Sequence, residues 1–229
     1  MKFKPSYTSS IAEDIMAERL IRAQAVEFLA DAPMRLKSGL ISPVYVDNRK
    51  LFSHPEAWSD IVETMASRVE EYDLEFDIVA GVEAAGSMHA AALAYRLGLP
   101  AIMVRQKAKT YGNHSRIEGG DVKGMRVLLL EDHISTGLSC LDAIRALRGE
   151  GAQVTQVMSI TNYAIPETQR LFKQEGIDTY DVIAFEKVVR KAKEMGVIDD
   201  EHEKLVLEWL QTPWTWAAMH GVVASAIEN

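Results

Sequence analysis

Cysteine is almost missing from this chain. Cys140 stands alone among 229 residues, which excludes a disulfide framework and suits a reducing compartment. No apolar run reaches the roughly 18 residues needed to span a membrane. The opening segment, MKFKPSYTSS, lacks the apolar stretch of a signal peptide. A cytoplasmic protein with no membrane partner is expected. Positive charge is in deficit: 25 Lys and Arg against 33 Asp and Glu leave a net charge of −8, which argues against nucleic acid as a general partner. Several chemical signatures are absent as well. Without a His-x-x-x-His pair or a cysteine cluster, a protein-ligated zinc site is not expected. Neither a Gly-x-Ser-x-Gly elbow nor a Gly-x-x-x-x-Gly-Lys loop occurs. No repeat, low-complexity segment or linker divides the chain, and 48% apolar residues suffice for one domain with its own core.

What is present centres on Val127–Ser139. Val127–Leu130 is an apolar run bounded by polar residues, the pattern of a strand buried on both faces. Glu131 and Asp132 follow where that strand should leave the sheet. Next come Ser135, Thr136, Gly137, Leu138 and Ser139, and then Leu141, Ile144 and Leu147 at helical spacing. In an open parallel sheet, ligands bind at such strand–loop–helix corners. A helix starting there aims free N–H groups and a positive dipole end at the loop, a seat for phosphate. Ionised carboxylates only accept hydrogen bonds, so the acid pair suits adjacent sugar hydroxyls. The chemistry indicated is recognition of a ribose phosphate. His133 is expected to point outward or into packing, and Cys140 to be structural.

The flanking pattern predicts alternating strands and helices. A helix is expected over 10–30, with Ser10 and Glu13 at capping-box spacing. A short strand should cover Val44–Asp47 and a helix should run from about Pro55 to Tyr72. Strands are predicted at Ile78–Gly81, Ala101–Val104 and Val154–Thr161, and helices at Gly86–Leu97, Ser139–Arg148 and Pro166–Gln174. Between the first two lie Glu83, Ala84, Ala85 and Gly86, small enough for a backbone to close on an anion. His89 reads as a helix-face residue. Segment 105–120 holds four basic residues before its first acid, Glu118, in an otherwise acidic protein. Its length and polarity fit a lid that closes over substrate. Helical spacing returns in the tail, 199–229, around Leu205 and Trp209.

Val127–Ser139 resembles the phosphoribosyl-pyrophosphate (PRPP) signature of the type I phosphoribosyltransferases. The resemblance covers about residues 33–160 and narrows to the orotate phosphoribosyltransferases through Lys37-Ser38-Gly39, Ser42-Pro43 and Ile117-Glu118-Gly119. It implies an α/β fold of that type: a central, mostly parallel sheet flanked by helices, a small N-terminal hood and a C-terminal helical extension. As one domain, the chain would divide into helix and hood (1–50), α/β core (51–195) and helical tail (196–229). The implied reaction joins PRPP and orotate to give orotidine 5′-monophosphate and pyrophosphate, in pyrimidine biosynthesis.

The resemblance also implies roles for residues. Glu131, Asp132 and Ser135–Ser139 would bind PRPP, and Glu83–Gly86 would form the pyrophosphate loop. Arg105, Gln106, Lys109 and Tyr111 would belong to the catalytic loop, with Lys109 and Asp132 as the catalytic pair. Lys37, Val44, Tyr45, Ser135, Asn162 and Tyr163 would surround orotate. Mg²⁺ would ride mainly on PRPP oxygens, with no dedicated protein ligands, and the loop would reach across a homodimer. Four places depart from the family pattern: Val44 for an aromatic, Ala85 for a lysine, Gln106 for a lysine, and Tyr111 for a histidine. The arginine that usually follows the strand near residue 160 has no counterpart at Asn162-Tyr163. Two alternatives stay open on the sequence: transfer to another base, or a PRPP-sensing regulator without catalysis.

Overall fold

The chain begins with α1 (Ser9–Arg22), after which β1 (Val26–Phe28), β2 (Met34–Arg35), β3 (Ile41–Ser42) and β4 (Val44–Val46) follow in quick succession. These short strands form two antiparallel pairs, β1 with β4 and β2 with β3. A 3-10 turn, Asn48–Ser53, leads into α2 (Pro55–Glu71). Strands and helices then alternate through β5 (Ile78–Val82), α3 (Ala85–Leu97), β6 (Ala101–Val104) and β7 (Ile117–Glu118). The series continues with β8 (Arg126–Ile134), α4 (Leu138–Gly149), β9 (Gln153–Asn162), α5 (Pro166–Gln174) and β10 (Asp178–Ala184). Three helices complete it: α6 (Phe185–Glu194), α7 (Asp200–Gln211) and α8 (Trp216–Met219). This computed structural model describes residues 9–108 and 115–222, with side chains from residue 12 onward.

Six strands form one sheet in the order β10-β9-β8-β5-β6-β7. Every neighbouring pair is parallel except β6 with β7. Parallel strands need crossover helices, which cover both faces and explain why β8 reads as an unbroken apolar run. Leu128 and Leu130 face a core built with Leu20, Ile61 and Leu93 of α1, α2 and α3. Val127 and Leu129 face the opposite core, with Leu141, Ile144 and Phe172 of α4 and α5. Each fully buried side chain of this size contributes about 1.5–3 kcal/mol relative to exposure. Arg68, itself buried, ties α2 to α1 through Glu13 at 2.8 Å and reaches the Val182 carbonyl of β10 at 3.5 Å.

The crevice follows from this topology. β5 and β8 are neighbours, yet α3 packs in one core and α4 in the other. The loops leaving the two strands therefore part at the carboxyl edge of the sheet, where open α/β folds bind ligands.

Several sequence expectations are corrected. The helix expected over 10–30 stops at Arg22. Gln24 takes a left-handed φ of 54°, and Val26–Phe28 pairs with β4, so strand pairing overrides the apolar periodicity there. Glu13 does not serve as a cap: it binds Arg68 and Lys187. β8 does not end before the acids. Its ladder with β9 continues through Glu131↔Ser159 and His133↔Thr161, so the acid pair lies in the strand. The basic segment expected as loop throughout includes β7, paired with β6 at Val104↔Ile117. β10 and α6 carried no sequence prediction of their own. Helix α7 forms as expected, with the Asp199 carboxylate accepting from His202 N–H at 2.8 Å. The last apolar stretch of the tail, beyond residue 222, lies outside the described residues.

Candidate active site

The end of β8 places two acids side by side. Glu131 is 6% exposed and accepts from the Ser139 hydroxyl at 3.0 Å. Its carboxyl also accepts from the Asp132 N–H at 3.3 Å. Burial, and then the adjacent Asp132 charge, pushes the Glu131 carboxyl well above the ordinary carboxylate range. Burial likewise raises Asp132. A ligand with vicinal hydroxyls would supply the hydrogen bonds that water supplies to an exposed carboxylate, and so favours ionisation of both groups.

Beside the acids, Gly137 takes a left-handed φ of 73° and opens α4 with no side-chain cap. A Cβ at this position would sit 2.9 Å from Thr168 Cγ2 and 3.0 Å from Phe172, so the turn can close this tightly only with glycine. The uncapped first turn of α4 leaves backbone N–H groups aimed at the loop, an anion seat. Ser135 adds a buried hydroxyl oxygen with no hydrogen-bond partner, while its carbonyl accepts from Thr168 Oγ1 at 3.3 Å. An orphaned buried hydroxyl beside free helix N–H groups suits a phosphate.

The loop after β5 meets the same place. A Cβ on Gly86 would lie 2.7 Å from the Leu130 carbonyl oxygen and 3.3 Å from Glu131 Oε1, so the start of α3 rests directly on the end of β8. Glu83, Ala84, Ala85 and Gly86 thus line one side of the crevice and Ser135–Ser139 the other. The Glu83–Ala84 peptide is cis.

The basic segment is anchored at both of its described ends. The Arg105 N–H donates to the Arg116 carbonyl at 2.8 Å, and its guanidinium pairs with Glu118 at 2.9 Å. Arg116 returns a bond to the Arg105 carbonyl and holds Asp142 at 2.5 Å. Gln106 is fastened to Glu83 in the loop after β5. Lys109 and Tyr111, expected in the catalytic loop, lie outside the described residues.

The residues expected around the base separate into two groups. Lys37 is exposed at the tip of the turn closed by Leu36 N–H and the Leu40 carbonyl at 2.7 Å. Val44 is buried and Tyr45 half-buried on β4. Asn162 and Tyr163 are instead committed to protein partners. The Asn162 amide donates to Asp181 at 3.4 Å and accepts from Ala164 N–H at 2.8 Å. Tyr163 is 3% exposed, and its hydroxyl donates to the Val44 carbonyl at 3.3 Å. His133 packs edge-on against Tyr163 with ring centroids 4.2 Å apart, and burial pushes its imidazole down to about 3. His89 is also buried and neutral, down to about 4, with Trp58 Nε1–H donating to its Nδ1 at 3.1 Å.

Sequence reasoning missed Asn48. It is fully buried, and its amide donates to the Asp132 carbonyl at 2.7 Å and to Thr161 Oγ1 at 3.1 Å. A polar Asp47-Asn48-Arg49 run directly after a buried strand was the available signal, since buried amides require partners. As to metal, no group of three or more His, Cys, Asp or Glu side chains converges among the described residues. Two adjacent acids next to a phosphate seat fit an ion that keeps most of its contacts with substrate oxygens and water.

Comparison with known proteins agrees with this geometry. A family model described as "Phosphoribosyl transferase domain" matches residues 47–194, more than half of the chain. An orotate phosphoribosyltransferase of Coxiella burnetii is 41% identical over 201 residues, spanning 88% of this chain and 96% of the relative. Among solved structures, the orotate phosphoribosyltransferase of Aeropyrum pernix is similar with a TM-score of 0.68 at 27% identity, over 80% of this chain and 99% of that one. The Mycobacterium tuberculosis orotate phosphoribosyltransferase in complex with PRPP gives a TM-score of 0.60 at 26% identity, over 77% and 98% of the two chains. With a phosphoribosyl transferase domain over residues 47–194 and a relative 41% identical over 88% of its length, this chain belongs to the orotate phosphoribosyltransferases, within the phosphoribosyltransferase family.

Proposed function

We propose that the protein transfers the ribose 5-phosphate group of PRPP to N1 of orotate. In this reaction the C1–oxygen bond to pyrophosphate breaks, pyrophosphate leaves with the electron pair, and the N1–C1 bond forms as the N1 proton is released. The observation that carries this reading is the contact of Gly86 with Leu130 and Glu131. It brings a small-residue loop, an acid pair and an uncapped helix start to one crevice.

The work asked of the protein is positional and electrostatic. Ser135–Ser139 and the α4 N-terminus would hold the 5-phosphate, and Glu131 and Asp132 the ribose hydroxyls. Glu83–Gly86 would line the pyrophosphate. Lys109, with Arg105, would meet the charge that grows on the leaving group, and Gln106 and Tyr111 would complete that loop. For Arg105 this requires exchanging its Glu118 partner for phosphate oxygen. Lys37 and the backbone at Val44 and Tyr45 would flank orotate, while Asn162 and Tyr163 support the base site from behind. Mg²⁺ would be held mainly by PRPP oxygens and would supply positive charge to offset that of pyrophosphate.

A homodimer sharing its catalytic loops, a cytoplasmic location, and one domain divided at about residues 50 and 195 complete the reading. No helix of the described residues is long and apolar enough to cross a membrane.

A base panel tests the assignment. Pyrophosphate release from PRPP and Mg²⁺ is followed with orotate, uracil, adenine, hypoxanthine and nicotinate. Release with orotate alone is expected. Release with a different base would overturn the substrate, and PRPP binding without release would overturn catalysis.

A further inference from the structure

Among the described residues, the hood and the catalytic sheet share no strand ladder: β1 pairs with β4 and β2 with β3, and the six-stranded sheet contains none of them. Side-chain hydrogen bonds therefore tie the hood to the rest of the fold. Two of their donors come from far along the chain, and both reach hood carbonyls. Trp209 of α7, fully buried, donates its indole N–H to the Ile41 carbonyl at 2.8 Å. Tyr163, just after β9, donates its hydroxyl to the Val44 carbonyl at 3.3 Å. Their rings meet edge to face with centroids 4.9 Å apart and planes at 88°. Tyr163 also abuts His133, the neighbour of Asp132. One aromatic stack thus runs from the acid-bearing strand to both sides of the hood.

We propose that Trp209 and Tyr163 are positioning residues that set the hood over the base, so that α7 works as part of base binding and not only as a cover for the core. This rests on the reading above, in which the hood flanks orotate. Apolar packing would hold the hood loosely, because it is tolerant of sliding. A buried N–H and a buried O–H each require an acceptor in a particular place, and these two acceptors lie one on each strand pair of the hood, on β3 and β4. The proposal also gives Tyr163 a task at the position where an arginine was expected: it supports the hood and leaves contact with the base to others.

The test uses Trp209→Phe, Tyr163→Phe and the double variant in the full chain, since phenylalanine keeps an aromatic ring while removing the donor. Two measurements are made together. Hydrogen exchange compares the hood amides of Leu36 and Gly39, which bond within the hood turn, with the sheet amides of β8. Steady-state kinetics compares KM for orotate with KM for PRPP. Faster exchange in the hood, unchanged exchange in β8, and an orotate KM raised about fivefold per lost hydrogen bond, with PRPP KM within about twofold, are the expected results. Unchanged hood exchange would overturn the clamp. Faster hood exchange with the two KM values unchanged, or rising in parallel, would overturn its role in base binding. If the wild-type protein turned over no orotate, the substrate assignment would fail separately, and the exchange measurement would still decide whether the two donors hold the hood.

Discussion

Glu83 and Gln106 grip each other twice. The Gln106 backbone N–H donates to the Glu83 carboxylate at 3.0 Å, and the Gln106 side-chain amide donates to the Glu83 carbonyl at 3.1 Å. The clasp joins the loop after β5 to the base of the segment that carries Lys109, so the substitution of glutamine for a common lysine has a structural consequence. Glu83→Ala or Gln106→Ala removes one exposed hydrogen bond and should raise KM for PRPP by about threefold, at the low end for a single bond. Initial-rate kinetics with PRPP varied at saturating orotate would show it; an unchanged KM in both variants would mean the clasp has no part in PRPP binding.

Asp132→Asn should weaken PRPP binding by about tenfold or more, because a charge-assisted acceptor is lost. Burial raises both Glu131 and Asp132, so wild-type affinity should strengthen as pH rises through their titration and both become acceptors. Calorimetric titration of PRPP and Mg²⁺ at several pH values checks the pair. Equal affinity of variant and wild type would rule out ribose recognition by Asp132.

Gly137→Ala places a side chain at φ 73° and against Thr168 and Phe172. A cost of about 2 kcal/mol is expected from strain and overpacking, together with a weaker phosphate seat. Urea denaturation measures the first effect and phosphate binding the second. Wild-type values for both would show that the turn relaxes freely.

Asp181 provides a pH-dependent stability test. Burial pushes its carboxyl from 3.8 up to about 6, against the hydrogen bonds from Ser159 at 2.6 Å and Asn162 at 3.4 Å. Between these values the folded protein retains a proton that the unfolded chain has released. Stability from this group therefore falls as pH rises across that window. Asp181→Asn should remove the loss, gaining on the order of 2 kcal/mol over wild type at pH 7 relative to pH 4. Denaturant midpoints for both proteins across that range give the comparison; parallel curves would show that Asp181 does not titrate there.

Much of the site was legible because its chemistry is local. The Val127–Leu130 run, the two acids, the small-residue turn and the following helical spacing are contiguous, and each follows from the neighbouring residues through strand burial, turn sterics and helix polarity. Helix α5 and strand β6 have the predicted limits because Pro166 opens one and an apolar run bounds the other. Helix α1 was overextended because strand pairing with β4, a contact between separate segments, stops it. Asn48 was missed for a related reason: its acceptors are the Asp132 carbonyl and Thr161, far away in sequence.

The alternation of strands and helices, the acid pair and the phosphate turn depend on residue type and spacing over a few positions, and can be read from the chain without its fold. Folding in three dimensions is what rests Gly86 on Glu131, brings Tyr163 and Trp209 to the hood, and holds Asn162 against Asp181. Those relationships join strands, loops and helices through long-range packing, and no local pattern specifies which distant carbonyl a buried donor will meet.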